Sequence, residues 1–218
     1  MRRICLLLTL LPLLAACSGG VLSEKHFDRN WVVESESPDW KAEFRGDTCI
    51  ITAPKGLTLW FRKELEGNVV IEYDATVFPD RLSDLNCFWM ATDPRVPDGN
   101  VFARMDERGG VFANCSQMNL YYVGYGGNWN TTTRFRRYDG NPGPAVLGEY
   151  TDEAHLLHRD HWYHIELTCS EGRVGYRIDG EQLFDYHDSE PYTHGWFGFR
   201  TTLSRIGITN FKVSCPHP

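Results

Sequence analysis

Hydrophobic and polar positions alternate with a period of two along most of the chain from Trp40 onward. Val69, Ile71, Tyr73, Ala75 and Val77 interleave with Val70, Glu72, Asp74 and Thr76, and Tyr163, Ile165, Leu167 and Cys169 repeat the pattern. Successive side chains of a strand point to opposite faces, so each run predicts a strand with one apolar and one largely polar face. Gly, Asp and Asn punctuate the runs. Glu171-Gly172 leads into Val174, Tyr176 and Ile178, and Asp179-Gly180, a favoured hairpin turn, leads into Leu183 and Phe184. Only residues 152–158 read as a short helix. Segments 92–110 and 139–150 do not alternate and are rich in Pro, Gly, Asp or Asn, which predicts long loops of the kind that carry function. The pattern as a whole predicts an all-β sandwich of two antiparallel sheets.

The same alternation sorts side chains by face. Taking Phe135 as a core residue puts Arg134 and Arg136 on the opposite face with Thr132 and Tyr138. Phe197 and Phe199 pointing inward send Trp196, Gly198 and Arg200 outward. Leu85, Cys87, Trp89 and Ala91 form one face of their segment, and Asp84, Asn86, Phe88 and Met90 the other. If these strands share a sheet, Arg134, Arg136 and Arg200 line one groove, with Asp84 and Asn86 beside them. Arginine presents a planar fork of donors that matches a carboxylate, and aromatic faces stack on the apolar faces of sugar rings. Residues 120–138, LYYVGYGGNWNTTTRFRRY, concentrate both groups. This pairing points to a glycan carrying carboxylates or sulfates; the competing reading is surface arginines paired with the chain's own acids. Asp84 and Asn86 equally suit local backbone hydrogen bonds. Gly126-Gly127-Asn128 is expected to make a tight hairpin with Trp129 exposed at its tip, as a stacking platform or as the edge of a core. No Lys-Ser/Thr follows, so it is not a phosphate loop.

Charge narrows the partners. The chain of 218 residues has a formal net charge of −7, and removing residues 1–16 takes away Arg2 and Arg3 and no acid, giving −9. Nucleic acid binding usually needs a basic surface, so nucleic acid is not an expected partner. Arg2 and Arg3, the apolar run 4–14 and the small residues Ala15 and Ala16 before Cys17 read as an export signal, too short to span a bilayer, which takes about 20 residues. Leu14-Ala15-Ala16-Cys17 resembles a bacterial lipobox. This resemblance implies a signal over 1–16, lipidation of Cys17, a tether over 17–25, one domain over 26–218 and an envelope location, with Ser18 favouring the outer membrane. Of seven cysteines, Cys49, Cys87, Cys115, Cys169 and Cys215 remain. Five allow at most two disulfides, and Cys87 and Cys169 sit in strand patterns as buried small hydrophobes. No zinc spacing is present and no cofactor is expected; calcium stays possible, with no compact Asp-rich loop to mark a site for it.

The order WYHIEL, GRVGYRIDGEQLFDY, GWFGFRTT and ITNFKV near the C-terminus resembles the concanavalin-like, lectin-like jelly roll. With SDLNCFWMATDP and YYVGYGGNWNTTTRFRRY, the chain is similar to a family of lectin-like lipoproteins from polysaccharide-degrading bacteria, close to YesU-type proteins and more distantly to keto-disaccharide hydrolase domains. The resemblance covers about residues 26–214. It implies the jelly-roll fold, a groove on one sheet and Arg200 pointing into it. The fold hosts hydrolases, lyases and lectins alike, so activity has to be argued from the site.

Catalysis leaves a fainter trace. Laminarinase-type jelly rolls carry Glu-x-Asp-x-x-Glu on one strand, whereas this chain reads Glu72-x-Asp74-x-x-Val77 and lacks the last carboxylate. A β-eliminating lyase needs groups that neutralise a uronate carboxylate, for which Arg134, Arg136, Arg200 and Asn86 are candidates. It also needs a base, for which Tyr122, Tyr125 and His194 are candidates. Tyr122 and Tyr125 fall on opposite faces, so only one can line a given surface. The expectation is a protein that binds acidic glycans and processes them as a lyase, with a non-catalytic lectin or a glycosidase of oxidised sugars as the alternatives.

Overall fold

A computed structural model of the chain describes residues 22–215. The expected signal, Cys17 and residues 17–21 of the expected tether lie outside the described residues. Leu22 is buried in the main core, so packing begins before the expected domain start at residue 26. In chain order the strands are β1 (Trp31–Ser35), β2 (Lys41–Arg45), β3 (Thr48–Ala53), β4 (Leu57–Phe61), β5 (Leu65–Glu66), β6 (Val69–Val77) and β7 (Leu85–Thr92). There follow β8 (Asn119–Gly126), β9 (Thr132–Asp139), β10 (Ala145–Tyr150), β11 (Tyr163–Ser170), β12 (Arg173–Ile178), β13 (Glu181–His187), β14 (His194–Thr201) and β15 (Ser204–Ser214). They pair into two antiparallel sheets. The eight-stranded one runs β1-β4-β14-β7-β8-β9-β10 with β5 also on β14, and the seven-stranded one runs β13-β12-β11-β6-β15-β3-β2.

The main core lies between the sheets and is built from the apolar sets that alternation predicts. Val69, Ile71, Tyr73 and Ala75 of β6 meet Tyr121, Val123 and Tyr125 of β8 and Phe197 and Phe199 of β14. Cys49, Cys87, Cys115 and Cys169 are buried free thiols.

Two expectations need correction. Residues 145–150 are not loop but the edge strand β10, paired with β9. Along β7 the alternation inverts after Trp89. Met90 takes a positive φ of 51°, the register with β8 shifts, and Met90 turns into the main core while Ala91 turns outward. The facing glycine makes room, because a Cβ on Gly195 would lie 2.5 Å from the Met90 carbonyl carbon.

Part of the eight-stranded sheet is buried on both faces. Residues 93–118 fold over part of its outer face, so that Trp60, Phe88, Tyr122, Tyr138 and Trp196 form a second apolar layer with Val101, Cys115 and Met118 from that segment. A buried polar clasp fastens the cover. Arg108, 1% exposed, donates from Nη2 to Glu34 Oε2 at 2.8 Å and to Val101 O at 2.6 Å. Glu34 also accepts from Trp60 Nε1 (2.8 Å) and the Gly110 N–H (3.2 Å).

Candidate functional site

The uncovered part of that outer face holds a cavity of about 420 Å³. Antiparallel registers set its floor, since paired residues of neighbouring strands side by side share a face. Arg200 of β14 pairs with Asn86 of β7, Asn86 with Gly124 of β8, and Gly124 with Arg134 of β9. One step along the strands, Phe88 pairs with Tyr122 and Tyr122 with Arg136. Neighbouring strands lie about 4.8 Å apart, so three strand spacings put the Arg200 and Arg134 backbones about 14 Å apart, with Gly124 between them. The Tyr122 hydroxyl occupies the space that a side chain at 124 would fill. Glu36, Asp84 and Phe112 complete the wall, with Gly127 and Asn128 from the β8–β9 turn.

The arginines differ in how they are satisfied. Arg134 is ion-paired with Glu149 of β10, as the surface reading would have it. Arg137, the third arginine of that run, sits on the other face against Asp188. Arg136 and Arg200 have no carboxylate partner among the described residues. Arg200 is only 2% exposed; its Nη1 donates to Gly110 O at 2.6 Å, and its guanidinium carbon lies 5.6 Å from the Phe112 ring centroid. Arg136 keeps Nε buried without a hydrogen-bond partner, with its guanidinium carbon 6.0 Å from the Tyr122 ring centroid. Asn86 donates from Nδ2 to Asp84 Oδ1 at 3.0 Å, while its own Oδ1 is buried and unpaired. Asp84 holds a positive φ of 63° and accepts from Ser83 Oγ. Buried unpaired donors, acceptors and guanidinium charges are costly, and here they gather around one cavity.

Burial pushes the Tyr122 hydroxyl well above the ordinary tyrosine range. Asp84 and Tyr138 add to the rise, and Arg136 and Arg200 oppose it. Burial also pushes the Cys115 thiol up to about 11, so it is no nucleophile at neutral pH.

Residues 51–211 match the family described as a domain of unknown function, DUF6250. The chain belongs to the DUF6250 family. No curated protein sequence matches it. Several solved structures share the fold of this DUF6250 chain. A Bacillus subtilis protein of unknown function with a galectin-like fold superposes with a TM-score of 0.76 at 16% identity, over 92% of this chain and 96% of its own. The carbohydrate binding module CBM66 from Bacillus subtilis gives 0.56 at 14% identity, over 85% and 95%. The exoplasmic/lumenal domain of VIP36, in a form bound to Ca2+ and Man3GlcNAc, gives 0.59 at 13% identity, over 88% and 86%. At these identities the likeness shows the galectin-like, lectin-like jelly roll of two antiparallel sheets, as the motifs implied.

Of the residues singled out from the DUF6250 sequence, Asp84, Asn86, Tyr122, Arg134, Arg136 and Arg200 line the one cavity. Four others do not. Tyr125 points between the sheets, donates to Leu156 O at 3.1 Å and is raised by burial. His194 sits at the far end of β14, about 20 Å from Arg200 at 3.3 Å per residue, with Nδ1 2.8 Å from Glu64 Oε1. Trp196 faces outward as alternation predicts, but residues 93–118 cover it; it packs on Phe102 and donates to Arg62 O. Trp129 is 69% exposed at the hairpin tip, in a left-handed run 128–130, next in sequence to the wall residue Asn128 yet outside the wall. Sequence reasoning missed Glu36, Phe112 and the clasp that supports Arg200 through Gly110. The adjacent glycines after Arg108 were the available signal: Gly110 has φ of 73°, and a Cβ there would lie 2.6–2.7 Å from the Ser35 and Glu36 backbone.

Proposed function

We propose that this DUF6250 protein binds an acidic glycan on the outer face of its eight-stranded sheet, with a uronate carboxylate held by Arg136 and Arg200. The observation that carries the reading is two guanidinium groups without carboxylate partners, one of them 2% exposed, at a single cavity in a chain of net charge −7. An anionic ligand supplies the missing partner, and the fork geometry of arginine favours a planar carboxylate. The unpaired Asn86 Oδ1 accepts from a ring hydroxyl of the same sugar, and Tyr122, held protonated, donates. Glycan binding is also what CBM66 and the VIP36 form are described by, and the expected kinship with YesU-type proteins belongs to this proposal. Lipidation of Cys17 would hold the domain at the bacterial envelope.

Isothermal titration with oligogalacturonate and a neutral oligosaccharide of equal length tests the reading. Binding of the acidic chain alone, weakened by added salt, supports it; equal affinity for both rejects it. Arg136→Ala and Arg200→Lys are each expected to cost about 1.5–3 kcal/mol, tenfold or more in Kd, the range of a hydrogen bond to a charged group.

A second reading, β-elimination on the bound uronate, is favoured by the Tyr122 hydroxyl in the cavity. It needs the phenol deprotonated to take the C5 proton, which burial opposes. Ultraviolet absorbance of an unsaturated product during incubation with uronate polymers would establish turnover, and its absence with binding intact would leave the lectin.

A further inference from the structure

A second cavity, of about 390 Å³, shares Arg136 and Phe112 with the first. Its lining is of a different chemistry. Pro142 and Pro144, from the segment leading into β10, and Val146 of β10 line it with Ala113 and the rings of Phe112 and Tyr138. Val146, the register partner of Arg136, is 56% exposed. Polar partners are few. Ser116 Oγ is occupied in donating to Ala113 O at 2.8 Å, and Arg136 is the sole cation in the wall. A second carboxylate here would lie against proline rings and a valine, with no cation but the Arg136 that the first cavity already uses.

We propose that the two cavities are adjacent subsites of one groove, and that the apolar one takes a sugar unit carrying a methyl group next to the acidic unit held by Arg136 and Arg200. This rests on the acidic-glycan reading of the first cavity. The methyl group is the shared chemistry of a methyl-esterified uronate and a 6-deoxyhexose. The favoured ligand is therefore a mixed chain, with a free carboxylate in one unit and a methyl-bearing neighbour, rather than a run of free uronates. Burying one methyl group tightens binding about fourfold, and sparing a carboxylate the apolar wall adds to that.

The test compares three oligosaccharides of equal length by isothermal titration against the whole protein: a fully de-esterified oligogalacturonate, a partly methyl-esterified one, and an alternating uronate–6-deoxyhexose chain. The proposal expects at least one methyl-bearing chain to bind tenfold or more tightly than the de-esterified chain, and the better of the two identifies the source of the methyl group. Val146→Asn, which replaces apolar wall with a neutral amide and sets no carboxylate beside Arg136, is expected to erase that preference while leaving affinity for the de-esterified chain within twofold. Equal affinity of wild type for all three, or a preference that survives Val146→Asn, overturns the apolar subsite and leaves the cationic one standing. No binding of any of the three overturns the acidic-glycan reading and this inference with it.

Discussion

At the scale of single residues, the site is defined by groups left unsatisfied. Asn86 Oδ1 carries the desolvation cost of a buried unpaired acceptor, and only the Asp84 hydrogen bond repays its side chain. Asn86→Ala is therefore expected to change stability by no more than about 1 kcal/mol, read from urea midpoints, while lowering acidic-glycan affinity about tenfold. Arg134 and Arg136, two positions apart on one face of β9, look equivalent in the sequence. The structure separates them, because β10 brings Glu149 against Arg134 and Val146 against Arg136. That difference was illegible, since residues 145–150 carry a glycine and two turn-like prolines nearby and do not read as a strand.

At the scale of elements, the segment 93–118 decides which part of the sheet is open. Its clasp is a buried ion pair, and without the Glu34 carboxylate the Arg108 charge keeps only Asp93, at 3.6 Å, as an anionic partner. Glu34→Gln is expected to cost about 3–5 kcal/mol in urea unfolding. Gly110→Ala acts on the same contact by sterics. The new Cβ meets backbone at 2.6–2.7 Å and φ is 73°, so the segment must shift, carrying Gly110 O away from Arg200. It is expected to lower stability by about 1–3 kcal/mol and to weaken glycan binding with no change to any cavity side chain. Period-two reading identified strands such as β6, β11 and β14, whose faces differ. It misjudged the fate of outward residues on β7 and β14, because alternation tells which side a residue faces and not what covers that side. Trp196 faces outward as alternation says, yet it lies under the cover and not in the groove.

At the scale of the whole molecule, acid and base should loosen the fold for identifiable reasons. Burial raises the pKa of Asp188, but hydrogen bonds from Tyr121 (2.6 Å) and Arg137 (2.7 Å) outweigh it, so the carboxyl is held below its ordinary value. Its contribution is present above the unfolded pKa of about 3.9 and is lost as pH falls from there through the lowered folded value. Asp188→Asn should flatten that part of the urea-midpoint profile below about pH 4. Burial also raises Tyr73, Tyr121, Tyr125 and Tyr176. The unfolded chain then ionises first, so stability falls as pH rises above about 10, and tyrosinate absorbance should appear together with loss of near-ultraviolet circular dichroism. The jelly roll itself was legible because strand alternation and turn chemistry are local. The site was partly legible, because Asn86, Gly124 and Arg134 are brought together by registers between strands that no local pattern specifies. The most direct measurement of the central claim is a crystal structure with a short uronate oligosaccharide. The expected result places a carboxylate about 3 Å from Arg136 and Arg200 nitrogens with a hydroxyl at Asn86 Oδ1; sugar bound elsewhere, such as the histidine-lined cavity beside Tyr150 and His155, with both guanidinium groups untouched, would contradict it.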